Sequence, residues 1–154
     1  MKIFAALSLL FFLVSCSGNT NGKKESEKHP LVGTWKLLEG TIIEKGDTTV
    51  TDYTKDKSFI KIINDSHFSF TLHDLTKGKD SANAVFSAGA GRYTLEGDKY
   101  TEHLEYCSAR EWEGHDFSFT ISIRNDTLIQ TGEEKIESAG VSRLNTEKYI
   151  RVRN

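Results

Sequence analysis

Strict alternation of apolar and polar residues is the feature that most constrains the fold of this chain. It is clearest in Phe117-Ser118-Phe119-Thr120-Ile121-Ser122-Ile123, where every apolar side chain falls on one face of an extended strand. The same period recurs in His67-Phe68-Ser69-Phe70-Thr71-Leu72 and, more briefly, in Tyr149-Ile150-Arg151-Val152-Arg153. No long stretch carries a convincing helical stripe. The sequence therefore predicts an all-β protein whose strands each bury one face.

Compact turn signals separate these strands. Asn64-Asp65-Ser66, Glu96-Gly97-Asp98 and Asn125-Asp126 each contain an Asp that can bond its own backbone, and Gly97 can adopt positive φ. They predict hairpins, and hence an antiparallel meander. About eight strands are expected, near residues 34–44, 58–64, 67–73, 90–96, 99–106, 116–124, 127–133 and 146–153, with longer connections at 74–89 and 107–115.

A meander of eight strands leaves exposed edges unless it closes on itself. We therefore expect an up-and-down β-barrel. A β-sandwich is the alternative, because its strands alternate in the same way.

The N-terminal segment predicts export and lipid attachment. Lys2 precedes an apolar run, residues 3–14, that is too short to span a membrane as a helix of about 20 residues. The run ends in Leu13-Val14-Ser15-Cys16, which resembles the bacterial lipoprotein signal. The resemblance implies that residues 1–15 are removed and that Cys16 carries acyl chains such as palmitate. Ser17 at the next position implies the outer membrane of the cell envelope.

Residues 16–30 are predicted to form the lipidated cysteine and a flexible tether. From Ser17 to His29 there is no large apolar residue, so this segment cannot bury enough surface to offset the entropy of ordering. Pro30 ends it, and residues 31–154 are expected to fold as one domain.

Charge and cysteine content narrow the range of partners. The formal net charge is −2 and no basic stripe with interleaved aromatic residues is present, which argues against nucleic acid as a partner. If Cys16 is lipidated, Cys107 has no partner for a disulfide within the chain.

Gly33-Thr34-Trp35, at the start of the first predicted strand, is similar to the Gly-x-Trp signature of the lipocalins and their calycin relatives. In that family the tryptophan plugs one end of a barrel and an arginine from near the last strand lies across its ring. The resemblance thus implies a lipocalin-like barrel in which Trp35 meets Arg151 or Arg153. Residues 91–103 also resemble bacterial lipocalin-like lipoproteins of unassigned function. Thr51-Asp52-Tyr53 has the letters of another lipocalin signature but occurs too early in the chain.

A lumen in such a barrel is the expected place for a ligand. One strand face is predicted to line it because that face has more apolar area and two phenols; its residues are Tyr100, Glu102, Leu104 and Tyr106. Inside the lumen, Glu102 needs Arg92 or another cation as its partner, or a raised pKa. At a wet barrel mouth it needs neither. Trp112, in the loop that follows, is expected to cap the opening or to pack on the rim.

Three classes of function remain. The first is a lipid-anchored module that binds a small apolar or amphipathic molecule in the lumen. The second is an envelope interaction protein whose barrel is filled by its own side chains. A continuous cavity of about 300 Å³ or more would support the ligand-binding module over this interaction protein. The third is a small hydrolase or metal-dependent enzyme, with His103, Glu105 and His115 as the best candidates. The sequence contains no established catalytic, paired-cysteine or phosphate-loop motif. We therefore predict binding without catalytic residues, metal or cofactor.

Overall fold

The structure is a computed structural model and describes residues 29–153. The predicted signal peptide, Cys16 and all of the predicted tether except His29 and Pro30 lie outside the described residues. Within residues 29–153, no helix has the length and apolar character needed to cross a membrane.

Nine strands form the domain: β1 (Gly33–Glu44), β2 (Asp47–Asp52), β3 (Lys57–Ile63), β4 (His67–Asp74), β5 (Phe86–Glu96), β6 (Lys99–Cys107), β7 (His115–Arg124), β8 (Thr127–Ile136) and β9 (Val141–Arg151). Two single 3₁₀ turns, Arg110–Trp112 and Glu137–Ala139, lie in the β6–β7 and β8–β9 connections. Strands β1 and β3 to β9 pair with their neighbours in that order, all antiparallel, and β9 pairs back with β1. The predicted closed up-and-down barrel of eight strands is confirmed, and the sandwich alternative is wrong because a continuous ladder joins first and last strands.

Strand β2 is an addition to the ring that was not predicted from the sequence. Residues 33–36 of β1 pair with β3, whereas residues 39–44 pair with β2. The change of partner coincides with a bulge against β9 at Leu38, whose carbonyl accepts the backbone N–H of Tyr53 at 2.9 Å. Residues 47–52 are almost all exposed and lack apolar alternation, so they carried no strand signal. The connection predicted at 74–89 is also shorter, since β5 already begins at Phe86.

The three predicted hairpin turns are present. Asn125 and Asp126 both adopt positive φ, 46° and 63°, between β7 and β8, and Gly97 does so at 63° between β5 and β6. In the β3–β4 turn the side chain that bonds the backbone is that of Asn64, not Asp65. Its Oδ1 accepts the N–H of Ser66 at 2.9 Å and that of His67 at 2.7 Å.

One end of the barrel is closed by Trp35 and Arg151. The indole is fully buried and donates its Nε1–H to the carbonyl of Leu31 at 2.8 Å. The Arg151 guanidinium lies 4.1 Å from the centre of the indole ring and also donates to the carbonyls of Val32, at 2.9 Å, and Pro30. Of the two arginines expected near Trp35, the structure places Arg151 there. Arg153 lies outside and pairs with Asp126.

The glycine of the Gly33-Thr34-Trp35 segment is required by this closure. Gly33 has φ of 151°, and a Cβ built at this position would lie 2.4 Å from Nη1 of Arg151. A side chain at residue 33 would therefore require Nη1 of Arg151 to shift and would also take a backbone conformation that favours glycine.

Arg151→Met is expected to lower the free energy of unfolding by about 2–4 kcal/mol, because the variant loses a cation–π contact and charge-assisted hydrogen bonds to two carbonyls. Urea unfolding of the variant and the wild type measures this difference. Arg153→Met, which removes an exposed arginine of the same segment, is the matched control and is expected to cost less than about 1 kcal/mol. Equal losses in the two variants would contradict the role given to Arg151.

Candidate functional site in the barrel lumen

A cavity of about 360 Å³ occupies the half of the barrel opposite Trp35. It lies towards the end where the β4–β5, β6–β7 and β8–β9 connections meet, which we call the mouth. Its apolar and aromatic lining comes from Ile42, Tyr53, Phe59, Phe70 and Trp112. Charged and amide side chains also line it: Lys61, Glu102, Gln130, Glu134, Arg143, Asn145 and Glu147. The lining therefore combines apolar side chains with charged and amide side chains.

Strand alternation explains how so many polar groups reach the lumen. Arg143, Asn145 and Glu147 are spaced by two residues on β9 and share the face that continues to the buried Tyr149. On β3, Lys61 stands between the inward-facing Phe59 and Ile63. These polar residues were absent from the predicted site because the inward face of a strand was assigned from its apolar area. A lysine at an apolar-face position, as in residues 59–63, is the one local signal that could have found them.

The polar side chains deeper in the lumen form a hydrogen-bonded cluster that links four strands, and we call it the Lys61 network. The Lys61 ammonium is almost fully buried and donates to Glu102 Oε1 at 2.6 Å and to Gln130 Oε1 at 3.2 Å. Gln130 donates in turn through Nε2 to Glu147 Oε2 at 2.6 Å, and the Tyr149 hydroxyl donates to the same oxygen at 2.8 Å. These bonds hold the buried charges in fixed positions before any ligand arrives.

A second cluster of polar side chains lies nearer the mouth. Glu134 accepts hydrogen bonds from Arg143 Nε at 2.6 Å and from the Asn145 amide at 2.8 Å, so both of its carboxylate oxygens are used. The Arg143 guanidinium lies 5.0 Å from the centre of the Trp112 ring. Trp112, on the 3₁₀ turn after β6, also packs against Phe117. The structure thus places Trp112 at the mouth, where it contacts both the rim and the charged lining.

Burial shifts the protonation of the lumen groups. It raises the pKa of the Glu147 carboxyl, and attraction by the Lys61 ammonium only partly offsets that shift. Burial also raises the pKa of Tyr149, and the neighbouring Glu147 adds to the effect. Burial likewise raises the pKa of the Tyr100 hydroxyl, and the neighbouring Glu102 carboxylate adds to the shift.

Three of the four residues predicted for the lumen, Tyr100, Glu102 and Leu104, are buried on the inner face of β6, although Glu102 meets a different cation from Arg92. The cation that meets Glu102 is Lys61, from across the barrel, and not Arg92. Arg92 is exposed and pairs with Glu105 at 2.5 Å on the outside, so the predicted Arg92–Glu102 pairing is wrong.

The predicted lumen position of Tyr106 is wrong, because its side chain is 67% exposed. Leu104 pairs with Gly91 and Tyr106 with the adjacent Ala90, so β6 carries one extra residue at this point. Such a bulge inverts the inward and outward faces beyond it, and Cys107 lines the cavity instead. Gly91 permits the bulge, since a Cβ there would lie 1.9 Å from the carbonyl oxygen of His103.

The residues of the enzymatic alternative do not converge. His103 Nδ1 lies 2.8 Å from Asp116 Oδ1, whereas Glu105 is held by Arg92. The Nδ1 atom of His115 lies 3.1 Å from the carbonyl oxygen of Glu113. Within residues 29–153, no three His, Cys, Asp or Glu side chains are arranged to hold a metal ion.

Glu147→Gln is expected to make stability less sensitive to pH. Because the folded state raises the pKa of Glu147, its stabilising contribution is complete below the ordinary carboxyl pKa and is lost as pH rises through the raised value. The variant should therefore gain on the wild type in unfolding free energy as pH increases from about 4 to about 8. Urea unfolding across this range measures the gain. Glu133→Gln, at a position of β8 outside the cavity lining, is the control; the prediction fails if both variants follow the wild-type curve.

Neither a protein-family profile nor a curated protein sequence matches the chain. Among solved structures, the chain is similar to an uncharacterized protein from Bacteroides eggerthii DSM 20697, with 13% identity, a TM-score of 0.44, and coverage of 79% of this chain and 98% of that chain. It is also similar to a mutant of the fluorescent protein UnaG, with 12% identity, a TM-score of 0.37, and coverage of 80% and 97%. The closed eight-stranded ring, with Trp35 beneath Arg151, itself fits the lipocalin-like architecture that the Gly33-Thr34-Trp35 resemblance implies.

Proposed function

We propose that this chain is a lipid-anchored binding protein that holds one small amphipathic molecule in its barrel lumen. The observation that carries the proposal is the cavity of about 360 Å³ at the mouth end of the barrel. Small-molecule sites generally measure about 300–1,000 Å³ and combine apolar walls with a few fixed polar groups.

The lining supports an amphipathic ligand rather than a purely apolar one. Phe59 and Phe70 stack with ring centres 5.4 Å apart and offer a flat apolar wall. The Lys61 network and the Glu134–Arg143 pair supply charges that are already held by hydrogen bonds. Side chains fixed before binding lose little entropy when the ligand arrives, and this favours affinity.

The other two functions have weaker support. A barrel filled by its own side chains would act only through its outer surface, and the remaining cavity argues against that function. For an enzyme, the candidate residues His103 and Glu105 are engaged with Asp116 and Arg92 on the outer face of the barrel. We therefore do not propose an enzymatic activity.

Export and anchoring of the domain through Cys16, in the outer membrane, complete the proposal. The described chain begins beside Trp35, where Arg151 binds the carbonyl of Pro30. The mouth lies at the opposite end of the barrel. An anchor attached through residues 16–30 therefore joins the domain at its closed end and leaves the cavity opening away from the point of attachment.

Native mass spectrometry of the full-length chain, purified from its own host, is expected to show a bound small molecule that Thr51→Trp removes. Thr51 lines the cavity, so an indole at this position occupies the ligand space. Val50→Trp, at the adjacent residue on the opposite face of β2 and 60% exposed, is the matched control and should keep the ligand. Repeated absence of a ligand from the wild type, or wild-type occupancy in Thr51→Trp, would contradict the proposal.

Growth of the host with an alkyne-bearing palmitate analogue is expected to label the wild-type chain and the Cys107→Ser variant, but not the Cys16→Ser variant. The chain contains two cysteines, and the lipoprotein-type signal ends at Cys16. Gel fluorescence after coupling a dye to the alkyne measures the labelling. Label retained by Cys16→Ser, or missing from the wild type, would overturn the proposed anchor.

A further inference from the structure

The cavity lining holds one more carboxyl group than it holds cations. Among the described residues, its three carboxyl groups belong to Glu102, Glu134 and Glu147, and its two cations to Lys61 and Arg143. The lining therefore has a formal charge of −1 when all five groups are ionised.

Both cations are already engaged. Lys61 lies 2.6 Å from Glu102, and Arg143 lies 2.6 Å from Glu134. Each of these ion pairs is buried or partly buried and includes a further amide, Gln130 in the first and Asn145 in the second. The unmatched carboxyl is that of Glu147.

Glu147 has only neutral hydrogen-bond donors. Its Oε2 accepts from Gln130 and Tyr149, whereas Oε1 has no hydrogen-bond partner among residues 29–153 and belongs to a side chain on the cavity wall. The Lys61 ammonium attracts this carboxylate without a direct contact, and burial among neutral donors still leaves the pKa of the Glu147 carboxyl raised.

One fully buried polar atom of the same lumen, the Tyr100 hydroxyl oxygen, lacks a hydrogen bond of good geometry among the described residues. Tyr100 is fully buried on the inner face of β6, two residues from Glu102 towards the closed end, and its hydroxyl lies beside the Glu102 carboxylate. Buried hydroxyl groups in folded proteins are nearly always bonded. The interior therefore offers hydrogen-bonding capacity that the described side chains do not use.

The aromatic wall and the Glu147 carboxylate belong to the same part of the cavity. The ring centres of Phe59 and Tyr149 are 6.1 Å apart, and the Tyr149 hydroxyl bonds Glu147 at 2.8 Å. A ligand with its apolar body against Phe59 and Phe70 thus has its polar end within reach of Glu147.

We propose that the lumen ligand is a protonated amine with an aromatic or aliphatic body, and that its ammonium group donates a hydrogen bond to Oε1 of Glu147. This inference rests on the proposed function and specifies its ligand class. The ammonium supplies the positive charge that the lining lacks, and a charge-assisted hydrogen bond in a partly dry cavity is stronger than one between neutral groups. An anionic ligand would meet the unmatched Glu147 and would have to displace Glu102 or Glu134 from its cation.

Isothermal titration of the full-length chain with tryptamine and with tryptophol, its uncharged alcohol analogue, tests the proposal. The wild type is expected to bind the amine at least about tenfold more tightly than the alcohol. Glu147→Gln, which keeps an acceptor for Gln130 or Tyr149, should abolish the preference, and Glu133→Gln should retain it. The comparison of tryptamine with tryptophol on the wild type needs no variant. It therefore tests the preference for an amine even if Glu147→Gln folds poorly.

Four results would overturn the amine inference: equal affinities, tighter binding of tryptophol, tighter binding of the anion indole-3-acetate, or a preference for tryptamine that survives in Glu147→Gln. Failure of the inference and failure of the proposed function are distinguishable. If the chain carries a small molecule from its host but binds none of the three probes, the amine inference is wrong and lumen binding stands. If it neither carries a host molecule nor binds a probe, both are wrong.

Discussion

The pairing of β1 with β9, secured where Arg151 lies across Trp35, is the interaction on which the rest of the structure depends. It converts a meander with two free edges into a ring, and only a ring has an interior. The same contact fills one end of that interior with an indole and a guanidinium, and Gly33 makes room for them by lacking a Cβ. The lumen cavity consequently lies towards the other end, where the strands end in longer connections.

Local patterns in the sequence predicted the parts of the fold that depend on neighbouring residues. The alternation in β7 and the turn at Asn125-Asp126 are properties of short segments, and both match the structure. The lumen charges are different in kind. Lys61 meets Glu102 across 41 residues of sequence and Gln130 across 69. Alternation shows which residues share a face, but it does not show which strands face one another across a barrel.

At Tyr106, a single bulge makes the alternation pattern of β6 predict the wrong face. Up to Leu104 the alternation of β6 predicted the inward face correctly. One extra residue in the β5–β6 ladder then moves Tyr106 to the surface and turns Cys107 inward. The only sequence mark of this bulge is the glycine at position 91, and strand glycines occur equally at tight bends and at close backbone approaches. Exposed strand β2 was missed for the opposite reason, since it has no buried face to create a pattern.

The partner change along β1 gives the two ends of the barrel different mechanical properties. At the mouth, the wall between β1 and β3 is completed by β2, which is hydrogen-bonded to β1 but, within the described residues, not to β3. Side chains bridge that seam: Tyr53 packs edge-on against Phe59 at 6.0 Å, and the Lys57 ammonium lies 5.8 Å from the Tyr53 ring centre. Between β2 and β3 the described residues make such side-chain contacts but no paired backbone hydrogen bonds. The other edge of β1 is paired with β9. On this side of the mouth the wall is therefore held by side-chain contacts between β2 and β3, whereas the rest of the ring is held by backbone ladders.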